Sequence, residues 1–217
     1  MYHYADAIEA LADRLGDDIV LTHEGVHRSW REFDDRAARL GQAFADAGLA
    51  PGSKVGLLLY NCAEYYETFL AALKMRMVPF NINYRYVGVE LAYLLENADC
   101  EALVYHRSLA AVVREVLPGL PLVKLAIEVD DGGAAWEGAR EYESLIASTA
   151  AAPRIARQPD DYHLMYTGGT TGLPKGVICH VAPWGTGLTA MLATHVLGLP
   201  AGPQDVGQVL ATCEALR

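Results

Sequence analysis

The densest chemistry in this chain lies in twelve consecutive residues, Tyr166-Thr167-Gly168-Gly169-Thr170-Thr171-Gly172-Leu173-Pro174-Lys175-Gly176-Val177. Four glycines, three threonines, a proline and a single lysine sit between two apolar runs, Tyr162–Tyr166 and Val177–Cys179. Glycine tolerates positive φ and brings no Cβ, so such a loop can turn several backbone N–H groups towards one point. The threonine hydroxyls add donors and Lys175 adds a positive charge. Together these are the groups that hold a polyphosphate.

Two better-known phosphate loops are excluded by spacing. A Walker A loop requires Gly-x-x-x-x-Gly-Lys followed by Ser or Thr, whereas Lys175 follows Pro174 and precedes Gly176. The Gly-x-Gly-x-x-Gly fingerprint fails across the loop as well. The string instead resembles the phosphate-binding signature Tyr-Thr-Ser-Gly-Thr-Thr-Gly-x-Pro-Lys-Gly-Val of the AMP-forming acyl-CoA synthetases, within the adenylate-forming superfamily. Gly168 stands where that family usually has serine, which removes one hydroxyl but keeps the backbone amide. Weaker matches follow in the family's order: Ser29–Glu32, Leu40–Gly48, Pro51-Gly52-Ser53-Lys54-Val55, Asn61, and Pro79 with Asn81 and Glu90–Leu95. With the loop they cover roughly residues 18 to 180. Turns and caps account for these outlying residues without any catalytic role.

The resemblance implies ATP-dependent activation of a carboxylic acid. The carboxylate attacks the α-phosphate of ATP, pyrophosphate leaves, and the thiol of coenzyme A then displaces AMP. Such a transition state needs preorganised donors and Mg²⁺ around the oxygens more than a protein nucleophile. Carried over by position, Thr167, Gly168, Gly169, Thr170, Thr171, Gly172 and Lys175 would hold the β- and γ-phosphates. The family's adenine-binding segment, its metal-binding glutamate, its ribose-binding aspartate and a lysine of a further domain all come later than this loop. The chain is therefore expected to be the N-terminal part of such a ligase, truncated after the phosphate loop and inactive alone. The rival expectation is a non-catalytic remnant that binds nucleotide weakly or packs against a partner. The segment Asn81–Tyr86 looks more like fatty acyl-CoA ligases than amino-acid-activating domains, so a fatty acid is the expected substrate.

The elements around the loop follow from periodicity. Residues 4 to 15 read as a helix with Ile8, Leu11 and Leu15 on one stripe, and 18–23 with 25–28 as a hairpin. Ser29-Trp30-Arg31-Glu32 is a capping box. It opens a helix striped with Trp30, Phe33, Ala37, Leu40 and Phe44, ended by Gly48 before a turn at Pro51-Gly52. A buried strand at 54–60 leads to a helix capped by Asn61 with Glu64 and striped with Tyr66, Phe69, Leu70, Leu73 and Met77. Strands at 78–82, 102–105 and 122–128 alternate with helices at 89–97 and 109–116. That alternation predicts an α/β fold with a largely parallel sheet and flanking helices. Residues 130–161 read as a loose surface connection with a short helix near 141–147. The expected division is an N-terminal α/β subdomain over 1–160 and a phosphate-loop segment over 161–217 that begins the next subdomain; residues 208–217 read as the middle of an element.

The 217 residues are 52% hydrophobic and 20% charged, with net charge −10, enough for a packed core and unfavourable for a nucleic-acid partner. Cys62, Cys100, Cys179 and Cys213 are too scattered for zinc spacing and read as reduced thiols of a cytoplasmic protein. The first residues lack the pattern of a signal peptide, and no apolar run reaches the ~18 residues of a membrane helix. Gly185-Thr186-Gly187-Leu188-Thr189-Ala190 matches Gly-x-Gly-x-x-Ala but reads as a helix start or substrate-channel turn. His180 reads as a core or turn histidine, with a place in the shell of the loop as the alternative, and Trp184 as a packing residue, with the lining of an acyl pocket as the alternative. An incomplete sheet would leave apolar surface and a strand edge uncovered, so self-association is expected.

Overall fold

A computed structural model of the chain describes residues 1–168 and 172–216. The chain forms two compact units. One comprises Met1–Asp34, Ala156–His163 and Cys179–Arg217, the other Asp35–Ile155 and Leu164–Ile178.

The first unit begins with helix α1 (Tyr4–Leu15). Its packed stripe is Ala7, Leu11 and Leu15, which join Tyr2 and Val209 in a small core. Ile8, the expected stripe residue, is only half-buried. Strands β1 (Ile19–His23) and β2 (Val26–Ser29) pair antiparallel. Their turn residues Glu24 and Gly25 both have positive φ, 48° and 81°, the geometry that matches hairpin twist. Helix α2 (Trp30–Asp46) follows. Its capping box forms as expected: Glu32 N–H donates to Ser29 Oγ at 3.2 Å, and Ser29 N–H donates to the Glu32 carboxylate at 2.8 Å.

The second unit is an α/β layer. Gly48, at φ 83°, ends α2. Strands β3 (Lys54–Leu58), β4 (Val78–Asn81), β5 (Cys100–His106) and β6 (Leu125–Val129) run parallel. Between them lie α3 (Ala63–Lys74), α4 (Gly88–Asn97) and α5 (Ala110–Val116). A two-residue strand, β7 (Arg140–Glu141), adds to β6, and α6 (Tyr142–Ser148) follows it. The sheet is completed by β8 (Tyr162–Thr167) and β9 (Lys175–His180), in the order β7-β6-β5-β3-β4-β8-β9. The core gathers Leu58, Phe80, Leu91, Leu94, Leu103 and Tyr105, all almost fully buried. The expected α/β fold with a largely parallel sheet is therefore present.

Three details differ from the sequence reading. The cap of α3 is Cys62, one residue beyond Asn61, and it makes no side-chain cap bond. Tyr66 is 53% exposed: α3 spends its buried face on Ala63, Leu70, Ala71 and Leu73, and Tyr66 falls outside that arc. The loose connection separates the early strands from the loop along the chain only, because β8 pairs beside β4 in the same sheet. Beyond the loop, α7 (Val181–Met191) continues into a π-helical turn at Leu192–Val196. Helix α8 (Val206–Ala215) starts at an Asp205 cap, so residues 208–215 lie within one helix that begins two residues earlier.

Candidate phosphate site

The loop from Gly168 to Pro174 joins β8 to its sheet neighbour β9. Parallel neighbours need a crossover of a dozen or more residues, so β8 and β9, joined by so few, run antiparallel. Thr167 at the end of β8 and Lys175 at the start of β9 therefore stand at the same end of the sheet. Because β8 runs parallel to β4, that end is the carboxyl end of the parallel strands, the side on which open α/β sheets bind ligands.

Thr167, Gly168, Gly172 and Lys175 are all exposed. Gly172 adopts φ 154° with open space where a Cβ would lie, so backbone conformation, not crowding, explains glycine there. Gly168 is also surrounded by open space and does not have positive φ. Gly169, Thr170 and Thr171 lie outside the described residues.

Both stems of the loop are pinned. The Asn81 side chain accepts from Tyr166 N–H at 2.9 Å and donates to Tyr166 C=O at 3.1 Å. The Tyr166 ring packs on Phe80 at 5.8 Å, and its hydroxyl donates to Asn97 Oδ1 at 2.8 Å. Burial raises the Tyr166 pKa, with Tyr93 adding to the effect, so the phenol keeps the proton it donates. On the other stem, a Cβ at Gly176 would lie 3.0 Å from the Tyr166 ring, tighter than ordinary packing, so glycine at 176 lets the strands lie this close without the ring giving way. Tyr93 Oη reaches Pro174 C=O at 3.5 Å.

Sequence similarity adds the decisive observation: residues 8–212 match the AMP-binding enzyme family. This chain belongs to that family. Among relatives of this AMP-binding chain, 3-oxocholest-4-en-26-oate–CoA ligase of Rhodococcus rhodochrous is 37% identical over 178 residues, covering 80% of this chain and 32% of the relative. Medium-chain acyl-CoA ligase Mig of Mycobacterium avium is 37% identical over 186 residues, covering 78% and 34%. The chain thus spans about a third of the length of these relatives and corresponds to their N-terminal part. The fold resembles the crystal structure of the anthranilate CoA ligase AuaEII in complex with anthranoyl-AMP, with a TM-score of 0.79 at 24% identity over 88% of this chain and 36% of that one.

Other candidates take structural places in this AMP-binding fold. The Gly185–Ala190 motif lies inside α7, so it is neither a helix start nor a turn and offers no bare helix N-terminus to a dinucleotide. His180 occupies the N-cap position of α7, its Nδ1 3.3 Å from Asp160 C=O. Trp184 packs edge-on against His163, with ring centroids 4.9 Å apart. Cys62 and Cys100 are buried free thiols, Cys213 is half-buried and free, and Cys179 is buried. Among the described residues no cluster of three or more His, Cys, Asp or Glu side chains suits a metal, and no helix is long and apolar enough to cross a membrane. The residues that sequence reading passed over are Asn81, Tyr93 and Asn97. Asn81 and Tyr93 lay inside matched family segments, but only the fold shows which backbone they hold.

Proposed function

We propose that the loop Thr167–Lys175 is the polyphosphate cradle of an AMP-forming acyl-CoA ligase of which this chain is the N-terminal segment. The observation that supports the reading best is the placement of a glycine- and threonine-rich loop with Lys175 at the carboxyl end of a parallel sheet, on stems fixed from β4 and α4. Backbone amides of residues 167–172 and the threonine hydroxyls would hold the β- and γ-phosphates of ATP. Lys175 would offset their charge as pyrophosphate departs. Mg²⁺ binds substrate phosphates and keeps several waters. The described residues supply no metal cluster for it, so none of the roles given to this chain runs through the metal.

The substrate class follows from the relatives. Ligases for medium-chain acids and for a steroid-side-chain acid are among them, and a fatty or similarly apolar carboxylic acid is the reading for this protein, with coenzyme A as the acceptor of the acyl group. The activity belongs to the cytoplasm, where ATP and coenzyme A are available. The 217-residue chain alone is expected to lack synthetase activity, because it spans about a third of its relatives.

The test is acid-dependent exchange of pyrophosphate into ATP by the longest protein that carries this segment, using medium-chain, long-chain, steroid and aryl acids. Exchange with an apolar acid, reduced about 10²- to 10³-fold by Lys175→Ala, is the expected result. Exchange with no acid of any class would sink the reading.

A further inference from the structure

We propose that Asn81 is a positioning residue for the phosphate loop: its carboxamide replaces the last rung of the β4–β8 ladder and fixes the point from which the loop leaves the sheet. This rests on the reading of Thr167–Lys175 as a phosphate cradle.

The geometry is specific. The parallel register between the strands is Phe80 opposite Leu164, so the next rung on that side would engage Ile82 and Tyr166. Alternate residues of β4 face alternate neighbours: Ile82 N–H faces β3 and donates to Leu57 C=O at 3.0 Å, so the backbone groups due to pair with Tyr166 are Asn81 C=O and Asn83 N–H. Strand β4 ends at Asn81 and its register with β8 goes no further than Phe80 and Leu164, so Tyr166 lacks that rung one residue before Thr167. Asn81 fills the gap by offering an acceptor at 2.9 Å and a donor at 3.1 Å to both backbone groups of Tyr166. A carboxamide is the side-chain group that imitates a peptide unit in both roles. Backbone pairing thus stops while β8 stays anchored, and the chain is free to turn out at Thr167. The Tyr166 ring carries the same anchor across to the far stem through its close approach to Gly176, next to Lys175. Asn81 therefore governs both flanks of the loop without being placed to touch a phosphate itself.

The experiment uses the 217-residue chain with inorganic pyrophosphate as probe, read by calorimetry, and amide hydrogen exchange at the stems. Asn81→Asp is the informative variant. It keeps the acceptor for Tyr166 N–H and loses the donor to Tyr166 C=O, at nearly unchanged volume. The expected result is affinity lowered about ten-fold, faster exchange at Thr167 and Lys175–Val177, and unchanged protection in β3 and β5. Asn81→Ala should lower affinity further and expose the Tyr166 amide. Should Asn81→Ala fail to fold, Asn81→Asp still decides. Wild-type affinity in Asn81→Asp, where Lys175→Ala has lost it, overturns the positioning role alone. A wild-type chain that binds no pyrophosphate, with Lys175→Ala indistinguishable from it, overturns the cradle reading and the inference with it.

Discussion

Arg36 Nε donates to Glu67 Oε1 at 2.8 Å, and Glu67 is completely buried. The other end of the same guanidinium forks onto Glu143 at 2.6 and 2.9 Å, while Tyr142 donates its hydroxyl to Glu67 at 2.8 Å. One ionic knot thereby ties α2, α3 and α6 together behind the sheet. Burial opposes the Arg36 charge, but the bonds to Glu143 and Glu67 outweigh it and raise its pKa. Removing one partner of a buried pair strands the other's charge, which costs about 3–5 kcal/mol. Glu67→Ala should therefore lower the urea midpoint sharply. The double change Arg36→Met with Glu67→Leu should cost less than Glu67→Ala alone. A Glu67→Ala chain within 1 kcal/mol of wild type would show the knot to be dispensable.

Much of the frame was legible because local signals and tertiary packing agree. Ser29 and Glu32 announce the start of α2, and the Phe33, Ala37, Leu40, Phe44 stripe names its buried face. Tyr66 misled because an aromatic at helical spacing says nothing about which neighbours exist to cover it. The two-residue β7 carries no periodicity and is defined by its pairing with β6. At the loop, residue types nominated a phosphate cradle, and the family resemblance carried that role over to Thr167, Gly172 and Lys175. The support from Asn81, Tyr93 and Asn97 was illegible as support, since the hydrogen bonds from Asn81 and Asn97 span 85 and 69 residues of sequence.

His163 sets a pH dependence. It is buried, and burial lowers its pKa below the ordinary 6.5. Its contribution to stability is complete above 6.5, where folded and unfolded chains are both neutral. As pH falls the unfolded chain protonates first, so that stability is lost towards and through the lower folded pKa. The wild-type melting temperature should fall more steeply between pH 7 and 5 than that of His163→Gln, by up to about 1.4 kcal/mol per pH unit in stability. Equal slopes in the two proteins would remove His163 as the cause.

The thiols should differ in reactivity. Burial pushes Cys62 and Cys100 up to about 12, and Cys100 Sγ donates to Ala102 C=O at 3.1 Å. Thiolate, not thiol, reacts with disulfide reagents. At pH 8 Cys213, which is half-buried, should label first, and Cys62 and Cys100 only on unfolding. Labelling of Cys100 at the rate of Cys213 would contradict the packing of β5.

Strand β9 is the edge of the described sheet and carries Val177 and Ile178 at 46% and 60% exposure. An exposed apolar strand at a sheet edge is a template for another strand. The isolated chain should self-associate with rising concentration in sedimentation experiments, and Ile178→Lys should shift it towards monomer. If both proteins stay monomeric across the same range, the edge is not sticky.

Gly168 and Gly172 should respond in opposite ways to a side chain, although both face open space. Gly168 lacks positive φ, so Gly168→Ser needs no backbone change and adds the hydroxyl that the family usually carries there. Gly172 sits at φ 154°, a conformation costing other residues about 1–3 kcal/mol. Gly172→Ala must either hold that strain or re-route the loop one residue after its threonines. Pyrophosphate affinity should be equal or higher in Gly168→Ser and about ten-fold or more lower in Gly172→Ala. The comparison separates backbone geometry from occupied space, since neither substitution meets a neighbouring atom. Equal losses in both variants would mean that the loop tolerates no side chain at either end, and that its glycines make room for the ligand instead of shaping the chain.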